Sequence, residues 1–218
     1  MTISAQTVAS VKEVSSSGTG SLLYIPANDH RWILDEYLAY DNGTDTRYEL
    51  MDGELIETPI ESNVNSLIAR FLLFEFAKYF PIQHIASKDT EIAVTGKRAS
   101  DTLLALLIHS EESYAALMSS KQAVLSQDMP SPSLIVEVVS PGKENRDQDY
   151  RYKRTEYAAR GVSEYWIIDP KRQRITICLW VEGQYEDTPY EGDRTIQSTI
   201  IKDFDLSTAQ ILDFGQPG

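Results

Sequence analysis

The chain has 218 residues, 42% hydrophobic and 24% charged, with a net charge of −13, a composition that fits one soluble domain with a substantial core. The acidic balance argues against a protein that holds nucleic acid through sequence-independent backbone contacts, because that affinity comes from neutralising phosphates with Lys and Arg. No apolar run approaches the roughly 20 residues of a membrane-spanning helix, and no basic-then-apolar leader opens the chain. The one cysteine, Cys178, excludes an internal disulfide and a cysteine-based zinc site, so the expected compartment is cytoplasmic.

Residues 1–24 are rich in Ser, Thr and Ala and lack periodicity, which predicts a disordered tail. Gly18-Thr19-Gly20 has no strand before it and no third glycine, so it is not a dinucleotide loop. Residues 25–213 read as a single domain. Trp32 to Tyr40 predicts a short helix. Asp52-Gly53 is a two-residue turn signal that pairs Tyr48–Met51 with Glu54–Glu57 as a hairpin. Its acids, Glu49 and Glu54, face solvent by spacing, with Glu54 the one that could instead reach a site.

Asn63 to Phe80 is the clearest helix. Its apolar residues Leu67, Ile68, Phe71, Leu72, Phe74, Phe76 and Tyr79 cover more than half the surface, which predicts burial on more than one side, and Pro81 ends it. Ile82 to Val94 supplies one or two strands, and Gly96-Lys97-Arg98 a turn. Thr102–Ile108 has the composition of a helix, but its length and flanking breakers allow a buried strand, the reading adopted here. Asp101 then stands at the leading end of that strand. It serves either as a turn or cap aspartate or as a carboxylate on the edge of the core. Glu111 to Leu117 predicts a surface helix, and Met129-Pro130-Ser131-Pro132 a stiff linker.

The run from Leu134 to Pro170 is the most informative. Leu134-Ile135-Val136-Glu137-Val138-Val139 reads as a buried strand with a carboxylate in its middle, which needs a cation or strong donors as an answer. A helix follows, with Asp147 as N-cap and Gly161 just past its end. Tyr150, Lys153 and Tyr157 share one of its faces, so Lys153 is the basic residue turned inward. Arg151, Arg154 and Arg160 lie off that stripe and can reach solvent, while Lys143, Arg146, Arg151 and Arg154 read either as a solvated face or as a local phosphate-holding patch. Glu164 to Ile168 is a second strand, ended by Asp169-Pro170. The βαβ-like unit thus points a Glu and a Lys toward one spot. Beyond it, Arg174–Val181 and Gln184–Tyr190 predict a hairpin with Pro189 on its edge, and Thr199–Ile201 a last strand. The Tyr and Trp residues from Tyr150 to Trp166 and Trp180 to Tyr190, with the edge strands there, point to a homodimer.

The Asp-Gly-Glu hairpin, the Asp101 strand, "LIVEVVSPG", "ENRDQDYRYKRTEYAARGVSEYWIIDP" and the trailing hairpins together resemble the Uma2 family over about residues 30–213. That family is numerous in cyanobacteria. The resemblance implies a mixed α/β (α+β) fold: a restriction-endonuclease-like αβββαβ core of PD-(D/E)XK type with additional N- and C-terminal β-hairpins. It also implies a metal-dependent nuclease acting on nucleic acid, DNA above all. The acid of the Pro-Asp motif matches Asp101, with Ser100 in place of the proline. The Glu of the next strand matches Glu137, and Val139 stands where most nucleases carry their lysine. The family moves that lysine to the following helix, at Lys153. Glu54 matches a further family acid, and Asn63 and Asn65 stand where many members carry a His.

The resemblance further implies Mg²⁺ or Mn²⁺ on Asp101, Glu137 and the backbone carbonyl near Val138, with Lys153 orienting the attacking water. The expected products are a 5′-phosphate and a 3′-hydroxyl. Two other readings remain at this point. Glu137 and Lys153 can form a structural ion pair with Asp101 capping a turn, in a silent module that binds nucleic acid or a protein. A serine–histidine hydrolase fits poorly, since His30, His84 and His109 occupy no nucleophile or metal-ligand spacing.

Overall fold

The computed structural model describes residues 30–44, 46, 48–51, 53–57, 62–88, 90–94, 101–142 and 146–214, and for residues 51 and 101–103 the backbone alone. The predicted tail, the Gly96-Lys97-Arg98 turn, Ser100 and Lys143 lie outside these residues.

Two sheets carry the fold. The first joins β1 (Tyr48–Met51), β2 (Glu54–Glu57), β4 (Glu91–Ala93), β5 (Asp101–Leu103) and β7 (Val124–Leu125) in the order β2-β1-β5-β4-β7. The second has the order β11-β10-β9-β8-β6-β3. Its strands are β3 (Ile85–Ala86), β6 (Leu106–Ile108), β8 (Leu134–Val138), β9 (Glu164–Asp169), β10 (Arg174–Val181) and β11 (Gln184–Glu191). The helices are α1 (Leu34–Leu38), α2 (Asn63–Phe76), α3 (Glu111–Ser119), α4 and α5 (Thr208–Asp213). The fourth, α4, is a π-helical turn over Gln148–Lys153 that continues as α-helix over Arg154–Arg160.

β8 and β9 are parallel neighbours joined by α4, so the predicted βαβ unit is the centre of the larger sheet. All five residues of β8 are buried, as a strand covered on both faces requires. Alternation then sorts them. Leu134, Val136 and Val138 enter a core shared with α2 and α5, while Ile135 and Val139 enter a second core with Tyr157 and Ala158 of α4. Glu137 has the parity of Ile135 and Val139, which puts it on the α4 side.

Four expectations are corrected. Thr102–Ile108 is two strands: β5 pairs with β1 and β4, and β6 pairs with β3 and β8, so the chain changes sheet at the buried Leu104-Ala105. A run this apolar buries both halves only by contributing to both sheets. The helix α2 stops at Phe76 and buries one face, leaving Phe74 65% exposed. Phe80 precedes Pro81 and is biased away from helical dihedrals, so the chain unwinds through short-range bonds such as Tyr79 N–H to the Phe76 carbonyl. Asp147 already has helical dihedrals and makes no capping bond. Thr199–Ile201 is a loop, with the Ser198 hydroxyl accepting from the Ile200 and Ile201 amides. The last element is instead α5, opened by a capping box between Ser207 and Gln210 that was legible as S-x-x-Q.

Gly161 does end α4, with φ +78° and the amides of Gly161 and Val162 returning to the Ala158 and Tyr157 carbonyls. Cys178 is buried.

Glu164, fully buried at the start of β9, ties the loop after β11 to the core. Its Oε1 accepts from Trp166 Nε1 at 2.6 Å, and its Oε2 from the Thr199 amide and hydroxyl at 2.8 Å each. Glu164→Ala orphans the buried Trp166 Nε1–H, at about 1–3 kcal/mol for a buried group left unpaired, and releases the amide and hydroxyl of the exposed Thr199 to water. The expected loss of stability in chemical denaturation is about 1–3 kcal/mol, and Glu164→Gln, which keeps one acceptor oxygen, should lose less. Equal stability of Glu164→Ala and wild type would contradict this account.

Candidate active site

Lys153 sits where the π-helical turn of α4 passes into α-helix, and its side chain crosses to β8. Nζ donates to Glu137 Oε1 at 2.8 Å, and both residues are buried, at 5% and 6% exposure. The inward-facing lysine and the carboxylate of the strand therefore meet as the spacing predicted. Tyr157, one α-helical turn further on, donates its hydroxyl to the same oxygen at 3.3 Å. Glu137 Oε2 accepts no hydrogen bond among the described residues and is not sealed from solvent.

The backbone beside Glu137 is held from the opposite face of the strand. Asn65, buried in the first turn of α2, donates Nδ2 to the Val138 carbonyl at 3.1 Å and lies 3.4 Å from the Ser140 hydroxyl. A carbonyl has two lone pairs, so the bond from Asn65 orients this one and leaves an acceptor direction open.

Two acids were missed by sequence reasoning. Asp149, buried at 7% exposure, places Oδ1 3.6 Å from Lys153 Nζ. Its signal was available: an acid four residues before a lysine on one helix shares that lysine's face. Glu49 of β1 acts electrostatically on both Asp149 and Lys153. The hairpin acid whose charge reaches the cluster is therefore Glu49. Glu54 is half-buried and pairs with Arg31 at 3.5 Å, in contact with neither Glu137 nor Lys153.

Asp101 is described by its backbone: it lies opposite Leu50 of β1 on one side and Ala93 of β4 on the other. Among the outer basic residues, Arg154 is not a free cation, since it grips Asp187 through Nε and Nη2 at 2.8–3.1 Å. His109 is buried with Nδ1 3.1 Å from Ser113 Oγ, and that hydroxyl is itself directed to the Ser110 carbonyl. Ser113 is fully buried, so the pair cannot meet a substrate.

The electrostatics follow from burial. Desolvation pushes the Asp149 carboxyl up to about 7, against the attraction of Lys153 and with the repulsion of Glu137 added. Burial alone would lower Lys153, but Glu137 and Asp149 outweigh it and hold the ammonium charged, well above its usual value. Two carboxylates and one ammonium carry a surplus negative charge when all are ionised. A proton on Asp149 relieves that surplus, and so does a cation.

A family model described as "Uma2: Putative restriction endonuclease" matches residues 34–209. A solved structure is similar in fold: the "putative nuclease belonging to DUF820 from Anabaena variabilis ATCC 29413". It shares 14% identity at a TM-score of 0.62, covering 84% of this chain and 98% of that one. No curated protein matches. Among the described residues no helix is long and apolar enough to cross a membrane.

Asp149 makes stability depend on pH. Its folded pKa of about 7 lies above the ordinary 3.8, so the folded state binds the extra proton between these values. Its contribution is then full below about pH 4 and lost as pH rises through about 7. The stability of wild type relative to Asp149→Asn, which keeps shape and loses the titration, should fall from pH 4 to pH 8 in denaturant melts. A difference constant over that range would refute the assignment.

Proposed function

The chain belongs to the Uma2 family, and from that premise we propose that it is a metal-dependent nuclease hydrolysing phosphodiester bonds of nucleic acid, DNA above all. The observation that carries this reading is the buried Glu137–Lys153 pair with Glu137 Oε2 and one acceptor direction of the Val138 carbonyl left open. Asp101, Glu137 and the Val138 carbonyl would hold Mg²⁺ or Mn²⁺. Their donors are all hard oxygens, which suit such ions, and the surplus negative charge of the cluster suits a cation. A bound divalent ion supplies Lewis-acid polarisation of the scissile phosphate and a water of lowered pKa.

The chain's own residues do the rest. Lys153 has three donors and uses one on Glu137, so its ammonium can also orient a water and offset charge that develops on the phosphoryl oxygens. Asp149 and Tyr157 hold Lys153 and Glu137 in that register. Asn65 fixes the Val138 carbonyl. Glu54 takes no part, consistent with its pairing to Arg31 outside the cluster.

A silent binding module rests on the same 2.8 Å ion pair, which satisfies Glu137 without a cation. The two readings part on metal binding and cleavage. Calorimetry with Mg²⁺ or Mn²⁺ should show binding by wild type that Asp101→Ala and Glu137→Gln weaken at least about tenfold, the equivalent of about 1.4 kcal/mol. Glu137→Gln keeps an acceptor for Lys153, so it avoids stranding a buried ammonium. Lys153→Ala should retain binding but lower cleavage of plasmid or single-stranded DNA by about 10²-fold or more, as loss of a charge-stabilising donor does. A folded wild-type protein that binds neither ion sinks the nuclease reading and leaves the silent module.

A further inference from the structure

The last residue of α4, Arg160, carries a charge that the fold does not answer. Its Nη2 donates to the Ser126, Leu125 and Met129 carbonyls at 2.6, 3.3 and 3.4 Å. Its Nε is buried and has no hydrogen-bond partner. No carboxylate of the described residues forms an ion pair with it. Asp128 alone is near enough to be felt, and it is exposed and already accepts from the Ser126 hydroxyl at 2.6 Å. Desolvation accordingly lowers the guanidinium from its usual value, against the smaller pull of Asp128. A half-buried cation answered only by carbonyl dipoles is a standing demand for an anion.

Space for one exists. A cavity of about 220 Å³ opens beside Arg160, lined also by Ala93, Val94, Gln127, Ser131 and Ala159. That is room for several waters at about 30 Å³ each, and so for a tetrahedral oxyanion. Two features set its shape. The Ser131 hydroxyl donates to the Arg160 carbonyl at 2.6 Å, and Gln127 Nε2 donates to the Val94 carbonyl at 3.0 Å.

Its position relates it to the cluster on Glu137. Ala93, in the cavity wall, is the cross-strand neighbour of Asp101, and Asp101 on its other side pairs with Leu50, next in the chain to Glu49. Arg160 follows Lys153 by seven residues, two turns of α4 and about 10 Å of axial rise.

We propose that the Arg160 cavity is a phosphate subsite that holds the backbone of the nucleic-acid strand whose scissile phosphate lies at Glu137 and Lys153. The inference rests on the nuclease reading above for the identity of the strand. It also supplies what a chain of net charge −13 needs to hold a phosphodiester, a cation beside an open cavity. Arginine suits the task, since its planar fork matches phosphate oxygens.

The test uses the full chain in EDTA, so that cleavage and metal binding play no part. A labelled single-stranded oligodeoxynucleotide is titrated by anisotropy across a salt series, with inorganic phosphate as a parallel ligand. Wild type is compared with Arg160→Gln and with Ala159→Glu. The second variant leaves the contacts of Arg160 to the Leu125–Met129 loop in place and puts a carboxylate at an exposed helical position in the cavity wall. Both should weaken oligonucleotide binding about three- to tenfold and reduce the salt dependence by about one phosphate contact. Their melting temperatures and Mg²⁺ binding should stay those of wild type in the case of Ala159→Glu. Unchanged affinity and salt slope in Ala159→Glu would overturn the subsite. Binding of inorganic phosphate with no gain for the oligonucleotide would overturn its assignment to a strand. Absence of Mg²⁺ binding by wild type in separate calorimetry without EDTA, with Arg160-dependent strand binding kept, would instead indict the nuclease reading alone.

Discussion

A carboxylate on a strand buried on both faces dictates the arrangement around it. Glu137 belongs to β8, whose five residues are all buried. An ionised group there is tolerable only with a partner at hydrogen-bond distance, and the partner must come from whatever covers that face. α4 provides it: Lys153 reaches Glu137 at 2.8 Å and Tyr157 reaches the same oxygen at 3.3 Å. The parallel pairing of β8 with β9, the passage of α4 over them and the left-handed stop at Gly161 all keep that helix in the one register that makes the pair. Removing either partner would leave a buried charge, which typically costs about 3–5 kcal/mol.

The cluster is not neutral. Asp149 and Glu49 add negative charge to a pair that would otherwise balance, and the fold answers by raising Asp149 toward neutral pH rather than by adding a second cation. An arrangement selected only for stability gains nothing from a buried surplus charge, whereas a site that trades a proton for a divalent ion needs one. Perturbed acids of this kind concentrate at functional sites.

The central unit was legible because its signals are local. The apolar run of β8, the stripe of Tyr150, Lys153 and Tyr157, and Gly161 past the end of the helix each follow from spacing. The pairing of Glu137 with Lys153 follows from the two periods taken together. What escaped was decided by tertiary context. The change of sheet inside Thr102–Ile108 has no signature in an unbroken apolar run. The exposure of Phe74 depends on which face of α2 meets the sheet. Glu49 and Glu54 flank one turn with similar neighbours, and only the placement of the hairpin against β5 and Arg31 separates them. Asp149 and the Ser207–Gln210 capping box are different: both were written at diagnostic spacings and were passed over.

The two faces of β8 divide the labour of the site. The side chain of Glu137 is fixed from the α4 side, while the carbonyl of Val138 is fixed from the α2 side by Asn65. One amide in the first turn of α2 and one ammonium at the π-to-α junction of α4 thus set the orientation of the Val138 carbonyl and of the Glu137 carboxylate. Both belong to helices anchored in separate cores, so a shift of either layer alone would change the spacing of the donors. Oxygen donors placed in this way would need no reorganisation to take the proposed cation, and preorganisation of that kind, more than the count of ligands, is what electrostatic catalysis draws on.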